Sequence, residues 1–120
     1  MQISYKTDNV VLASDVTSYT EEKLAAVERL LVDEGNASCE VLLSRDEKHQ
    51  SGLIYRVDFT LFTGKERIHA VGHGESLMAA LDIAKDELAN RVRREKKLHV
   101  RVMRKSGAVL KRIMRFGSAE

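Results

Sequence analysis

Alternation opens the chain. In residues 1–6, Ile3 and Tyr5 share one face and polar residues take the other, the period of two that a half-buried strand requires. Residues 7–13 connect. From Ser14 to Asp33 the period lengthens, and Val16, Tyr19 or Thr20, Leu24, Val27 and Leu31 fall on one helical stripe. Ser14 is expected to cap this helix, because its hydroxyl can accept from an open N–H of the first turn. Glu34-Gly35-Asn36 is expected to close it with a residue that tolerates positive φ. A second strand is predicted over 38–44, with Cys39, Val41 and Leu43 on one face. Residues 45–52 form a polar loop. Over 53–63, Leu53, Tyr55, Val57, Phe59 and Leu61 alternate with Ile54, Arg56, Asp58, Thr60 and Phe62, the clearest strand in the chain.

Thr63-Gly64-Lys65 reads as a tight turn into a fourth strand, 66–72, with Ile68 and Ala70 toward the core. Gly72-His73-Gly74 is expected to break that strand. Ser76 should then cap a second helix over roughly 77–97, whose stripe is Leu77, Met78, Leu81, Ala84, Leu88 and Val92. Residues 98–106 have no assigned element, and 108–116 could make a short amphipathic helix. The order is β-α-β-β-β-α. A parallel crossover followed by a meander gives an α+β, two-layer sandwich: a four-stranded sheet with two helices packed on one face. Double-stranded RNA-binding domains have a similar helix-on-sheet shape.

At 120 residues the chain is one domain, or one domain with a tail. No apolar run reaches the roughly 18 residues of a membrane span. Met1 leads directly into strand-like residues, so no secretory leader is expected. Cys39 is the single cysteine, which suits a reducing, cytoplasmic setting.

The net charge of +2 conceals a strong asymmetry. Residues 1–90 hold 9 Lys/Arg against 16 Asp/Glu, a balance of −7. Residues 91–115 hold 11 Lys/Arg against Glu95 alone, a balance of +10. Cations near the end of a helix suit its dipole, and a solvated charged face is the ordinary reading of a charge run. Such faces mix signs, however, and this one does not. It points to a polyanion held mainly through backbone phosphates. Few aromatics lie near it, which disfavours base stacking.

Other chemistry is weak. His69 and His73 are four apart, but on a strand that separation is about 13 Å, too far to share an ion without a sharp bend. His49 and His99 lack partners at useful spacing. Gly72-His73-Gly74 lacks the lysine and Ser/Thr of a phosphate loop. Asp82, Asp86 and Glu87 are helix-surface acids with nothing convergent on them. No nucleophile motif frames any serine, and Cys39 sits mid-strand. The expectations are therefore no enzyme, no metal and no cofactor.

The element order and the second helix together resemble the ribosome hibernation promoting factor family, also called ribosome-associated inhibitor, ribosomal subunit interface protein or sigma-54 modulation protein. Asn9-Val10, Tyr19, Lys23-Leu24 and Val27-Glu28-Arg29 stand where that family favours Asn-Ile, Tyr, Lys-Leu and Leu-Glu-Lys. Gly74-Glu75-Ser76-Leu77-Met78-Ala79-Ala80-Leu81-Asp82 looks like its Gly-Glu-Asp-Met-Tyr-Ala-Ala-Ile-Asp. Leu88, then Arg91-Val92-Arg93-Arg94 and Lys96, looks like its Leu…Gln-Leu-Arg-Lys…Lys. Arg91 replaces an uncharged family position, and Glu95 stands where an aromatic is common.

The resemblance implies a short form, with residues 1–97 as the ribosome-binding domain and 98–120 as a basic extension. It implies a partner in the small ribosomal subunit near the decoding region and in the intact ribosome. Translation would be blocked there under stress, without catalysis. Matched basic positions are Lys23, Arg29, Arg93, Arg94 and Lys96, and charge adds Arg91 and Lys97. In the extension, Arg101, Arg104, Lys105, Lys111, Arg112 and Arg115 are expected RNA contacts. A monomer is expected when free, and a membrane-surface role for the tail is set aside. Two other classes stay open: a general RNA-binding module, and a protein-interaction module of the kind the sigma-factor name implies.

Overall fold

The alternating and helical periods are realised in the predicted order. The computed structural model describes residues 1–31, 37–46, 52–64 and 66–114, with side chains through residue 95. Its elements are β1 (Gln2–Asp8), α1 (Ser14–Glu28), β2 (Ala37–Arg45), β3 (Tyr55–Thr63), β4 (Glu66–Gly74) and α2 (Leu77–Met114). The sheet order is β1-β2-β3-β4. β1 runs parallel to β2, and the other two pairings are antiparallel.

Register decides what each face carries. Cys39, Val41 and Leu43 lie opposite Leu61, Phe59 and Val57, and Phe59 and Leu61 lie opposite Ala70 and Ile68. All are buried, against Val16, Leu24 and Val27 of α1 and Ala80, Leu81, Ala84, Leu88, Ala89 and Val92 of α2. Both helices therefore cover the same face. Each buried large side chain contributes about 1.5–3 kcal/mol relative to exposure. Ile3 and Tyr5, on the edge strand, are only partly buried against this core.

α2 approaches the sheet unusually closely, and two glycines permit it. A Cβ on Gly72 would lie 2.4 Å from the Ala80 carbonyl oxygen and 2.4 Å from the Ala84 backbone nitrogen. One on Gly74 would lie 2.6 Å from the Ala80 nitrogen. The helix answers with alanines at 79, 80 and 84.

Several boundaries differ from the sequence expectation. Ser14 is the first helical residue and not the cap. Extended Ala13 holds the cap position without a side-chain bond, and Asp15 accepts from the Val16 N–H at 2.9 Å. α1 ends at Glu28, short of Asp33, because Leu30 and Leu31 donate to Val27 and Glu28 in the tighter i−3 pattern. The expected closing residues 34–36 lie outside the described residues, as do Lys65 of the turn and residues 47–51 of the polar loop. Gly72-His73-Gly74 does not break β4 but completes it. Ser76 does cap α2: its hydroxyl accepts from the Ala79 N–H at 3.1 Å. α2 then continues to Met114 as one helix of 38 residues, about 57 Å long. Residues 108–114 continue α2 instead of forming a separate short helix, residues 115 and 116 lie outside the described residues, and position 97/98 falls within α2.

Candidate nucleic-acid interface

Strand directions fix the poles of the molecule. β1, β2 and β4 run one way, so α1, which returns from the end of β1 to the start of β2, runs the other way. α2 leaves the end of β4 and runs alongside α1 in the same direction. Both helices therefore start at one pole and finish at the other. The starting pole carries Asp8, Asp15, Asp46 and Glu75, together with Arg45 and Arg56, all exposed. The finishing pole carries Arg29, at the end of α1, and the cationic turns of α2. Asp15 in the first turn of α1 suits that helix's dipole, but α2 runs on to Met114, so Arg91, Arg93 and Arg94 lie well before its last turn, outside the reach of the dipole at its end.

Val92 is the last buried position described on α2. Arg91, Arg93, Arg94 and Glu95 around it are exposed. Arg91 is engaged locally, its Nε donating to Glu87 Oε2 at 2.8 Å. An Arg93 Nη donates to Asn90 Oδ1 at 3.3 Å. Lys96, Lys97, Arg101, Arg104, Lys105, Lys111 and Arg112 occupy positions on the same helix, with side chains outside the described residues. Arg115 lies outside the described residues altogether.

Lys23 sits in a different setting. Its Nζ is 3.2 Å from Asp82 Oδ1 and 5.0 Å from the centre of the Tyr19 ring. The Tyr19 hydroxyl donates to the same carboxylate at 2.5 Å. That hydroxyl, and then Lys23, hold Asp82 below the ordinary carboxylate range, and the Asp82 bond holds Lys23 above its ordinary value. Lys23 thus ties α1 to α2, and Asp82 offsets its charge. Arg29 lies at the end toward which α2 carries its cations, and Lys23 lies back along the helix pair.

Arg67 was missed in the sequence. β3 ends and β4 begins at the finishing pole, so Arg67, one residue into β4, is an exposed cation at that same pole. Only the hairpin geometry reveals this. Cys39 is a core thiol, its pKa pushed up to about 12 chiefly by burial. His69 donates to Asp58 rather than facing His73 across an ion. Among the described residues, no group of three or more His, Cys, Asp or Glu is placed to hold a metal, and no helix is long and apolar enough to cross a membrane.

A family described as sigma 54 modulation protein / S30EA ribosomal protein matches residues 3–99. The fold is similar to the N-terminal domain of Protein Y from Thermus thermophilus, with a TM-score of 0.65 at 24% identity, covering 78% of this chain and 98% of that one. It is also similar to a ribosomal subunit interface protein from Coxiella burnetii, with a TM-score of 0.63 at 16% identity, covering 81% and 99%. No curated protein matches in sequence.

Proposed function

The chain belongs to the sigma 54 modulation protein / S30EA ribosomal protein family, and from that premise we propose that it is a ribosome hibernation factor of the cytoplasm. It binds the small subunit near the decoding region, occupies the path of mRNA and tRNA, and so inhibits translation under stress. The observation that carries this reading is the cationic finishing pole: Arg29, Arg67, Arg93 and Arg94 are exposed toward one end of the fold, and the basic positions of α2 continue to Arg112. Such a pole is built for phosphate backbone, and each phosphate contact contributes about −0.7 to −0.9 to the slope of log affinity against log salt. Residues 1–90 carry a balance of −7, so the approach to RNA is directed through the cationic end. Inhibition follows from occupancy, with no chemical step.

Salt-series binding to purified small subunits, large subunits, duplex RNA and candidate protein partners tests the proposal. Strong preference for small subunits is expected. Equal binding to any duplex would instead select a general RNA-binding module. Salt-insensitive binding to a protein alone would select an interaction module.

A further inference from the structure

The helices cover one face of the sheet and leave the other open. On that open face Asp58 is buried although its strand neighbours Arg56 and Thr60 are not. Arg56 donates to it twice, through Nε at 2.9 Å and an Nη at 3.0 Å, and His69 Nε2 lies 3.0 Å from its Oδ1. The carboxylate is thus sunk into the sheet, with its side chain 11% exposed. The two cation-forming groups it holds stand out, Arg56 at 49% and His69 at 46%. Arg67 lies two residues from His69 on the same face of β4 and leads to the cationic finishing pole. Val71 separates His69 from His73, which is also exposed on this face.

We propose that the β3–β4 half of the open sheet face is a second RNA phosphate contact, formed by Arg56, His69 and Arg67, and that protonation of His69 strengthens it. It rests on the reading that the protein binds ribosomal RNA, and it extends the finishing-pole interface onto the sheet through Arg67. A carboxylate only accepts, so His69 must donate to Asp58 through Nε2–H. In the neutral ring Nδ1 is then a lone-pair acceptor, which repels a phosphate oxygen. In the imidazolium Nδ1 becomes a donor while the Asp58 bond persists.

The charged groups around His69 on this face are Arg56 and Asp58 on β3 and Arg67 and His73 on β4. Farther across lie Glu40 on β2 and Lys6 and Asp8 on β1. With Asp58 sunk and shared, the outward ionisable groups described on the β3–β4 half of this face are Arg56, Arg67, His69 and His73, none of them acidic.

The test measures affinity against salt at about pH 6 and about pH 8, for purified small subunits and for single-stranded oligouridylate. For the wild type, the log–log slope should be steeper by about 0.7 at the lower pH, one added phosphate contact. His69→Gln should remove that increment, so that the variant's slope is the same at both pH values. Arg67→Gln should lower the slope by about the same amount at both pH values. The proposal is overturned if the wild-type slope does not change with pH, or if His69→Gln keeps the full wild-type change. Small subunits bound with a pH-independent slope would overturn this proposal and leave the hibernation reading standing. A His69-dependent increment on oligouridylate with no binding to small subunits would do the reverse.

Discussion

Gly72→Ala puts the packing of α2 to a direct test. The added Cβ would sit 2.4 Å from the Ala80 carbonyl oxygen and the Ala84 nitrogen and 2.9 Å from the Ala84 Cα, and ordinary contact begins near 3.4 Å. The obstructing atoms are backbone, so no rotamer change relieves them. Helix and strand must separate by about 1 Å, a gap that forfeits a quarter to a half of each dispersion contact it opens. The contacts at risk are those of Ala80, Leu81, Ala84 and Leu88, all fully buried. Overpacking generally costs about 1–3 kcal/mol, and an immovable obstacle puts this site near the upper end, about 3 kcal/mol. With a urea m-value of about 1–3 kcal/mol/M, the unfolding midpoint should fall by about 1–3 M. Gly64→Ala is the control: its Cβ meets nothing within 4 Å, but its φ is +52°, so it should cost only about 1 kcal/mol, that of a left-handed alanine. A loss under about 0.5 kcal/mol for Gly72→Ala would show that α2 does not pack where we place it.

Three further outcomes follow from the structure. Burial holds Cys39 protonated, so a thiol reagent at mildly alkaline pH should label the folded protein only as fast as it opens; rapid labelling without denaturant would contradict the core assignment. Burial alone would raise the Asp58 pKa, but Arg56 and His69 outweigh it and hold the carboxyl below its ordinary range. The stability it contributes is complete above about pH 4 and is lost as pH falls through the lower folded value. The wild type should therefore lose stability below about pH 4 more steeply than Asp58→Asn, and parallel acid limbs in urea titrations would refute this. Finally, inhibition of cell-free translation should scale one-to-one with ribosomes, whereas irreversible inactivation by substoichiometric protein would restore an enzymatic reading.

The periods made most of the fold legible. Val57, Phe59 and Leu61 announced β3, and Leu81, Leu88 and Val92 announced the buried stripe of α2, because burial on one face leaves a direct mark on the sequence. Boundaries were less legible, for local reasons. Apolar spacing continues through Leu31, but the backbone tightens at Leu30, and periodicity alone does not see that change. Gly72 and Gly74 carry the usual signature of a strand break, yet here they make room for a helix backbone, a tertiary demand. α2 outran its expected end near residue 97 because residues 98–106 contain neither glycine nor proline to stop a helix. The cationic end could be counted directly along residues 91–115. Arg56 and His69 could not, because they meet at Asp58 only through the β3–β4 register, which also puts Arg67 on that face. Lys23 matched a basic family position, but Asp82, 59 residues away in sequence, determines its surroundings.

The central claim is that the cationic finishing pole docks on the small ribosomal subunit. Its most direct test is sucrose-gradient sedimentation of purified small subunits with the wild type and with a variant carrying Arg93→Gln, Arg94→Gln, Lys96→Gln and Lys97→Gln. All four positions follow Val92, the last buried position described on α2, so the fold should persist and circular dichroism should be unchanged. The account predicts that the wild type travels with the subunit near physiological salt and that the variant remains at the top of the gradient, its salt slope flatter by about three units. A variant that co-sediments as the wild type does would contradict it, leaving the charge of this pole as a solvated surface.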